Sequence, residues 1–511
     1  MNSTLTKSKR IASNTILLFV RMFVLMIVNL YAVRLMLHGL GETDYGIFNT
    51  VAGFVTSTIF ISSILSFSIQ RFYSVALGEN DNKKFKNIFS ASINIIIVSS
   101  LLLIVILETF GFWFVSNILD IPSNRLDVTL LVFQFSIFTL LLTFFQVPFL
   151  AAIFAHEDMG VYSLVSTLEA IARLAIAWII CDIACDGLYV YTLLLLIISF
   201  VVLAIYVFAA CKKYNGCKYI KVNDKNIYKQ LLSFSGWYTF GTMANMGMNQ
   251  GSMILMNIYF GPLVNAAFAI ALQIQNAFNS LCNSFVLPFR PAIIKAYAEK
   301  NHEFVKRLFI INNKVVYFFT LLIGLPMISE MRTILNFWLD TSDETTITFS
   351  RLIVVMVIII SLHNPISIIM HAIGKVRQYH LPVETVILFC CPIAWGLFSC
   401  GMPSTTLFYV IFLLLIVSHL LRIRCIKKYY EHFSLSEYVN KFLIPAVIVT
   451  LICIILLYII CYYINATMPR FVLTITVFPI LMLCSIYKWG LDENDRMQLR
   501  QYLYILISKY R

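Results

Sequence analysis

The stretch that decides the fold is residues 187–210, which read GLYVYTLLLLIISFVVLAIYVFAA. The run carries no charged residue, and as a helix it is long enough to cross a bilayer core of about 30 Å. Asp182 and Asp186 precede it, whereas Lys212 and Lys213 follow it. This arrangement predicts a membrane-spanning helix whose lysine-bearing end lies in the cytoplasm.

Similar apolar runs recur along the chain of 511 residues, from 14–37 to 471–487. Hydrophobic residues make up 60% of the sequence and charged residues only 12%, too few to cover a soluble protein of this length. We therefore predict an all-α integral membrane protein with about fourteen transmembrane helices. The remaining loops are too short to form an enzyme domain, so we do not expect an enzyme.

The net charge of +13 would suit nucleic-acid binding if the basic residues were clustered on one surface. Instead they occupy alternate loops, as Lys83, Lys84 and Lys86 do after the second predicted span. The intervening loops are acidic or neutral, as Glu42 and Asp44 illustrate. This alternation follows the positive-inside rule and predicts cytoplasmic N- and C-termini. A basic loop surface for anionic partners stays the alternative, and no nucleic acid is expected.

The sequence repeats itself at a nearly constant offset. Three of the matched pairs are separated by 220 positions and one by 217: Gly41 with Gly261, Glu79 with Glu299, Asp120 with Asp340, and Pro148 with Pro365. Because six spans are an even number, both copies would run in the same direction, as two parallel lobes in a pseudo-two-fold repeat. The predicted organisation is an N-lobe at 1–210, a cytoplasmic linker at 211–230, a C-lobe at 231–430, and two extra C-terminal helices with a cytoplasmic tail at 431–511.

Polar residues form seams inside several spans. In helix two, Asn49, Thr56, Ser63 and Gln70 are spaced by seven, which places them on one stripe. The matching seam of the second lobe comprises Asn276, Asn283 and Arg290 on helix eight, and Asn249 on helix seven matches Asn29 on helix one. Such residues face either a water-filled cavity or a hydrogen-bonding partner helix. We predict that they line a substrate cavity.

Three arginines accompany these seams. Arg21 lies inside helix one, and Arg71 and Arg290 lie near the cytoplasmic ends of helices two and eight. A guanidinium group keeps its charge when desolvated and matches the geometry of phosphate. Convergence of the three would create a cationic vestibule for an anionic substrate. The alternative for Arg71 and Arg290 is anchoring at the membrane interface.

Other intramembrane residues are candidates for an ion site or a hinge. Glu169 and Arg173 are four apart on helix five and predict a self-neutralised ion pair, with a substrate or proton role as the alternative. Pro148 and Pro365 predict helix kinks that could serve as hinges, and His363 precedes the second of them. None of the twelve cysteines forms a CxxC pair with matching histidines, so no metal or cofactor is expected.

The duplicated lobes, the segment GETDYGIFN at 41–49, the segment RFY at 71–73 and the two appended spans resemble the polysaccharide flippases of the MOP exporter superfamily. The likeness is greatest to translocases of O-antigen (lipopolysaccharide) and capsule repeat units. It implies a V-shaped, alternating-access transporter in the bacterial inner membrane, with an undecaprenyl-pyrophosphate-linked oligosaccharide as cargo. In that family, arginines at the positions of Arg21, Arg71 and Arg290 meet the anionic head group.

The resemblance further implies a monomer that contacts membrane lipids, with the polysaccharide polymerase machinery as a candidate partner. One departure is Met22, which stands where flippases of the peptidoglycan precursor carry an acid beside the helix-one arginine. The main alternative is a cation-coupled multidrug (MATE-like) exporter of the same superfamily, which would be expected to carry a carboxylate in the first helix of a lobe. A membrane glycosyltransferase would need a larger extramembrane loop with carboxylates.

Overall fold

The computed structural model describes residues 2–117, 121–183, 185–222, 224–339, 343–464, 467–493 and 495–497, and these are overwhelmingly helical. The repeat pair Asp120 and Asp340, together with the tail from 498 onward, lies outside the described residues. The helices are α1 Asn2–Thr56, α2 Ile59–Gly78, α3 Asn82–Ile106, α4 Phe112–Asn117, α5 Leu126–Ala155, α6 Met159–Ile179, α7 Gly187–Lys213, α8 Lys225–Val286, α9 Phe289–Ala298, α10 His302–Leu339, α11 Glu344–Ser361, α12 His363–Ile373, α13 Val376–Leu388, α14 Cys390–Ser399, α15 Thr406–Tyr429, α16 Leu435–Tyr438, α17 Ile444–Tyr463 and α18 Thr467–Ser485.

Within the described residues, 12 helices are long and apolar enough to cross a membrane. The prediction of an all-α integral membrane protein is thereby confirmed. The longest of these helices, α8, has 62 residues and is broken at Gly261, where φ is 80°. A shorter apolar segment, Ser13–Leu25, lies in α1. The number of fourteen spans stays a prediction.

The backbone repeats at the offsets found in the sequence. Gly41 and Gly261 have φ values of 77° and 80° and are 220 positions apart. Asn80 and Lys300, also 220 apart, have φ values of 55° and 57°. Left-handed backbone recurs once more 217 positions apart, at Glu157 with φ 60° and Gly374 with φ 86°. Residues other than glycine rarely adopt this conformation. Its recurrence therefore marks equivalent chain reversals in the two copies.

The described chain divides into two compact units. The first comprises Met1–Thr239 together with Arg290–Lys300, and the second comprises Phe240–Phe289 and Asn301–Arg511. The short helix α9 therefore packs with the N-terminal helices, although most of the chain on either side of it belongs to the second unit. The domain boundaries predicted at 210, 230 and 430 stay predictions.

The first unit is built around aromatic residues buried between α2, α3 and α5, among them Phe85, Phe89, Phe133 and Phe144. Just before α5, Arg125 forms ion pairs with Asp44 and Asp186. Asp186 also caps α7 by accepting hydrogen bonds from the amides of Leu188 and Tyr189, at 3.1 and 3.2 Å. A single arginine thus joins the starts of three predicted spans, at the side that the loop charges predict to be outside the cytoplasm.

The 211–230 segment is held against α3 of the first unit. The amide of Ile220 donates to Ser90 Oγ at 2.9 Å, and Tyr219 Oη donates to Asn94 Oδ1 at 3.1 Å. Gly216 lies so close to Phe85 that a Cβ there would be 2.3 Å from the ring. A polar, lysine-rich segment is therefore fixed by short side chains and a glycine that permits close approach.

The second unit has apolar cores between α8, α11, α14 and α15 and between α8, α10 and α11. The two appended helices, α17 and α18, pack on α10 and on each other. Large apolar side chains on their outer faces are exposed, for example Tyr463 at 77% and Met468 at 65%. Such faces suit contact with lipid.

Candidate functional site

The polar seam of the second predicted span runs from the last part of α1 into α2. It is largely solvent-accessible in the first unit. Asn49, Thr56 and Ser63 are exposed, whereas Gln70 at the end of the seam is buried. Asn49 and Thr56 hydrogen-bond only locally, to Tyr45 O and Gly53 O. Because exposed polar side chains on membrane helices are unfavourable against lipid, these positions favour an aqueous surface.

At the end of this seam the structure places an aromatic cluster made of Phe67, Phe72, Phe234 and Tyr238. The ring centroids of Phe67 and Tyr238 are 4.5 Å apart, and those of Phe67 and Phe234 are 6.0 Å apart. Phe72 approaches Phe234 edge-on at 5.9 Å. The cluster joins α2 to the first part of α8 and presents ring faces, which carry partial negative charge.

Arg71 and Arg290 both lie on this aromatic cluster. The Arg71 guanidinium is 4.8 Å from the Phe72 centroid and 5.0 Å from that of Phe234. The Arg290 guanidinium is 4.5 Å from the centroid of Phe67. Each cation–π contact stabilises the cation by about 0.5–2 kcal/mol. The structure thus brings together two of the three predicted arginines, each with its guanidinium over an aromatic ring of this cluster.

The close packing of α9 on α2 explains why Arg290 reaches this cluster. A Cβ at Gly78 would lie 2.6 Å from the Ala298 Cβ and 2.6 Å from the Lys295 carbonyl oxygen. Only a glycine allows two helices to approach so closely without displacement. The last residue of α2 therefore sets the distance to the helix that carries Arg290.

Arg21, the third predicted arginine, is held by α6. Its Nε donates to Ser166 Oγ, and its guanidinium lies 4.3 Å from the centroid of the Tyr162 ring. About two helical turns before Arg21, Asn14 Nδ2 donates to the carbonyl of Glu157 at 2.8 Å. These contacts fix α1 against α6, and convergence of Arg21 with Arg71 and Arg290 stays a prediction.

The remaining candidates of the first unit occupy α5 and α6. Arg173 binds Glu169 Oε1 through Nη2 at 2.7 Å and Nε at 3.2 Å, which forms the predicted ion pair. Helix α5 continues through Pro148. The neighbouring Gln146 donates to the carbonyl of Ser199 at 3.4 Å, so it ties α5 to α7 at this proline.

In the second unit, the helix-eight seam is again accessible. Asn276 and Asn283 are exposed and Asn249 is half-buried. The helix is interrupted at Leu362, between α11 and α12, just before His363 and Pro365. This interruption lies at the second predicted hinge. Whether these residues serve as ion ligands or hinges stays a prediction.

Sequence reasoning missed a buried polar cluster of the second unit. His371, His380, Glu384 and Arg422 are all less than 10% exposed and contact one another. The only sequence signal was the spacing of His380 and Glu384, which puts them one turn apart on α13. Their partners come from two other helices, and this proximity requires the tertiary fold.

Solved structures of similar fold are transporters. A MATE protein in the bent conformation superposes with a TM-score of 0.69 at 14% identity, covering 84% of this chain and 98% of its own. An outward-facing MATE multidrug-resistance transporter of the MOP superfamily gives 0.69 at 13%, covering 83% and 97%. A mutant of a Vibrio cholerae MATE transporter gives 0.63 at 15%, covering 85% and 100%. None of the curated proteins compared with the chain matches it.

The chain therefore shares its fold with MATE transporters, one of which belongs to the MOP superfamily. The particular family follows from the sequence match: residues 9–297 fit the model described as "Polysaccharide biosynthesis protein", and the chain belongs to that family. The resemblance to the polysaccharide flippases of this superfamily is thereby confirmed.

Proposed function

We propose that the protein is a flippase that moves undecaprenyl-pyrophosphate-linked oligosaccharide repeat units across the bacterial inner membrane by alternating access, for surface polysaccharide assembly. The observation that carries the proposal is the pair Arg71 and Arg290, held on one aromatic cluster within a polysaccharide biosynthesis protein. The termini would lie in the cytoplasm, as the charge of the loops indicates.

The chemistry of the pair suits a pyrophosphate. Two guanidinium groups offer planar pairs of N–H donors, which match phosphate oxygens bidentately. Nearby aromatic surface supplies an apolar border for the isoprenoid phosphate linkage.

The exposed seams suit the sugar portion of the cargo. Asn276 and Asn283 on helix eight, like Asn49 on α1, present amide groups that both donate and accept hydrogen bonds. The hydroxyl groups of a hydrated oligosaccharide can exchange their hydrogen bonds to water for hydrogen bonds to such amides. The anionic head and the neutral sugars would therefore meet different residue types.

The test is the quantity of lipid-linked oligosaccharide in cells that lack the gene. We expect the lipid-linked repeat unit to accumulate and wild-type protein to remove it. Arg71→Ala and Arg290→Ala should each leave about ten times more of it than wild type, because a lost charged hydrogen bond costs about 1.5–3 kcal/mol. Membrane levels of each variant are measured alongside.

The control is Arg332→Ala, which removes an exposed arginine paired with Glu344 and should behave like wild type. Full complementation by Arg71→Ala and Arg290→Ala would contradict the assigned role of the pair. The likeness to MATE structures supports a second candidate, a cation-coupled multidrug exporter. Unchanged lipid-linked oligosaccharides with new sensitivity to cationic drugs would favour that exporter.

A further inference from the structure

One face of α6 carries a row of polar side chains. Tyr162, Ser166, Glu169 and Arg173 follow one another at intervals of four, three and four residues. Residues at these intervals lie above one another on an α-helix. Helix α6 therefore presents a continuous polar stripe, and the whole helix belongs to the first unit.

The opposite face of α6 is apolar and exposed. It carries Leu164, Leu168, Ile171 and Trp178, whose side chains are between 47% and 65% exposed. The first three of them each come two positions after a residue of the polar stripe, which is about 200° around the helix. The apolar face suits contact with lipid, so the polar stripe is directed toward the interior of the first unit.

Helices α1 and α7 flank the polar stripe. On the α1 side, Ser163 Oγ donates to the carbonyl of Leu17 at 3.2 Å. Toward the end of α6, Ile176 belongs to a buried apolar cluster that includes Met36 of α1 and Tyr191 of α7. Tyr191 Oη donates to Met36 Sδ at 3.2 Å, which joins α7 to α1. The stripe thus runs between two helices and ends at an apolar cluster formed by all three.

The ion pair of Glu169 and Arg173 lies one turn before this cluster and is accessible. The two side chains are 26% and 45% exposed. Arg173 Nη2 and Nε both donate to Glu169 Oε1, at 2.7 and 3.2 Å. The hydrogen bonds of the pair within the described residues use these three atoms, so Arg173 Nη1 and Glu169 Oε2 keep their hydrogen-bonding capacity. One ion pair therefore presents both a charged donor and a charged acceptor.

This combination selects among ligand classes. A free anion is repelled by Glu169, and a free cation competes with Arg173 for the same carboxylate. A neutral molecule with two neighbouring hydroxyl groups satisfies both partners, since one hydroxyl accepts from the arginine and the other donates to the glutamate. Hydrogen bonds to ionised groups are about twice as strong as those between neutral groups. Neighbouring hydroxyl groups of this kind are characteristic of sugar rings.

The same stripe holds a second guanidinium nearer the start of α6. Arg21 of α1 contacts Ser166 and Tyr162, which lie about two and three turns before Arg173. Tyr206 of α7 interacts electrostatically with Arg21 and with Glu169, so it lies between the two charged groups. The stripe thus offers a single cation at one level and the ion pair about 10 Å further along.

We propose that Glu169 and Arg173 form a sugar-binding site of the first unit, which holds two neighbouring hydroxyl groups of one ring of the cargo. Arg173 Nη1 donates to one hydroxyl oxygen, and the other hydroxyl donates to Glu169 Oε2. The inference rests on the proposed flippase function and adds the part of the substrate that this pair recognises. A ring that lacks either hydroxyl leaves a charged group without its partner, so the site also discriminates between sugars.

The test is saturation-transfer NMR of the full-length protein in lipid nanodiscs, with the methyl α-glycosides of glucose, galactose and mannose as probes. We expect saturation transfer to at least one of the three, strongest at the ring protons beside the two bound hydroxyls. The deoxy derivative that lacks one of these hydroxyls should bind about ten-fold more weakly, because one hydrogen bond to a charged group is lost. Absence of transfer to all three glycosides would overturn the proposal.

The variant Glu169→Gln/Arg173→Gln removes both charges together, so neither is left unpaired. It should bind the glycoside about ten-fold more weakly than wild type or worse. Its thermal unfolding should change little, since a partly exposed pair one turn apart contributes little to stability. Arg173→Lys keeps the charge but lacks the guanidinium fork, so it should also bind weakly. A purely structural pair would instead lower stability and leave glycoside binding unchanged.

The matched control is Glu437→Gln/Lys441→Gln. It removes another pair with the acid four residues before the cation, and the two side chains are 32% and 52% exposed. This control should bind the glycoside like wild type. Equal binding by wild type and Glu169→Gln/Arg173→Gln, or equal weakening in the control, would contradict the assignment.

The glycosides carry neither lipid nor pyrophosphate, so their binding is measured independently of the lipid-linked oligosaccharide test. Glycoside binding without accumulation of the repeat unit in cells that lack the gene would remove the flippase assignment and leave the sugar site. Accumulation without glycoside binding would remove the sugar site alone.

Discussion

At the scale of single residues, the second unit depends on a carboxylate that neutralises a distant arginine. Glu330 on α10 is 1% exposed, and Arg470 on α18 binds it through Nε at 2.7 Å and Nη2 at 3.3 Å. Glu330 also interrupts the helical backbone of α10, with φ −100° and ψ 17°. Desolvating such a pair is costly, but removing only one partner is worse, because it leaves a buried charge.

We expect Glu330→Ala to destabilise the protein by about 3–5 kcal/mol, and Glu330→Met/Arg470→Met to recover most of the loss. Thermal unfolding of the purified protein in detergent would measure both. As a control, Glu344→Ala removes the carboxylate of the exposed pair with Arg332 and should change stability little. Equal destabilisation by the single and double changes would show that the charge is not the cause.

At the scale of elements, the packing of α9 on α2 sets the position of Arg290. The closest point is Gly78, where the Ala298 Cβ and the Lys295 carbonyl leave no space for a side chain. Helix packing at this distance is a property of the pair of elements, since neither helix alone requires a glycine here.

Gly78→Ala should therefore lower thermal stability and reduce complementation, whereas Gly236→Ala should not. Gly236 is also helical and in the first unit, but a Cβ there has nothing within 4 Å. An alanine in an open helical position gains up to about 1 kcal/mol over glycine. If Gly78→Ala were as stable as Gly236→Ala, α2 and α9 would not be in the contact described.

At the scale of the whole molecule, α18 and the segment after it are attached to α10 at two points. Lys314, 3% exposed, is 2.7 Å from Asp495 and 3.3 Å from Asp492 in the segment after α18. Sixteen residues further along α10, about 24 Å at the usual helical rise, Glu330 binds Arg470. Three ion pairs at two points on one helix thus fix α18 and the segment that follows it.

Replacing both aspartates by asparagine should destabilise this attachment, because Lys314 would then be a buried cation without its carboxylates. Adding Lys314→Met to Asp492→Asn/Asp495→Asn should restore stability. Limited proteolysis of the segment after α18, together with thermal unfolding, would follow the effect. Unchanged protease resistance in the double aspartate variant would argue against the attachment.

The sequence by itself determined the membrane class and indicated the repeat with its glycine pair Gly41 and Gly261, and the orientation expected from loop charge stays a prediction. These properties depend on hydropathy, on charge order and on local backbone preference, all of which are carried by neighbouring residues. The i,i+4 ion pair of Glu169 and Arg173 was predictable for the same reason, since one helical turn fixes its geometry.

Only the tertiary structure decided which distant residues meet. Arg71 and Arg290 were singled out from sequence, but their shared aromatic cluster requires α9 to pack on α2. The buried cluster of His371, His380, Glu384 and Arg422 joins α12, α13 and α15. Its members show no local sequence pattern beyond the one pair on α13. Such contacts depend on how helices pack across long sequence separations, and hydropathy and spacing carry no information about that packing.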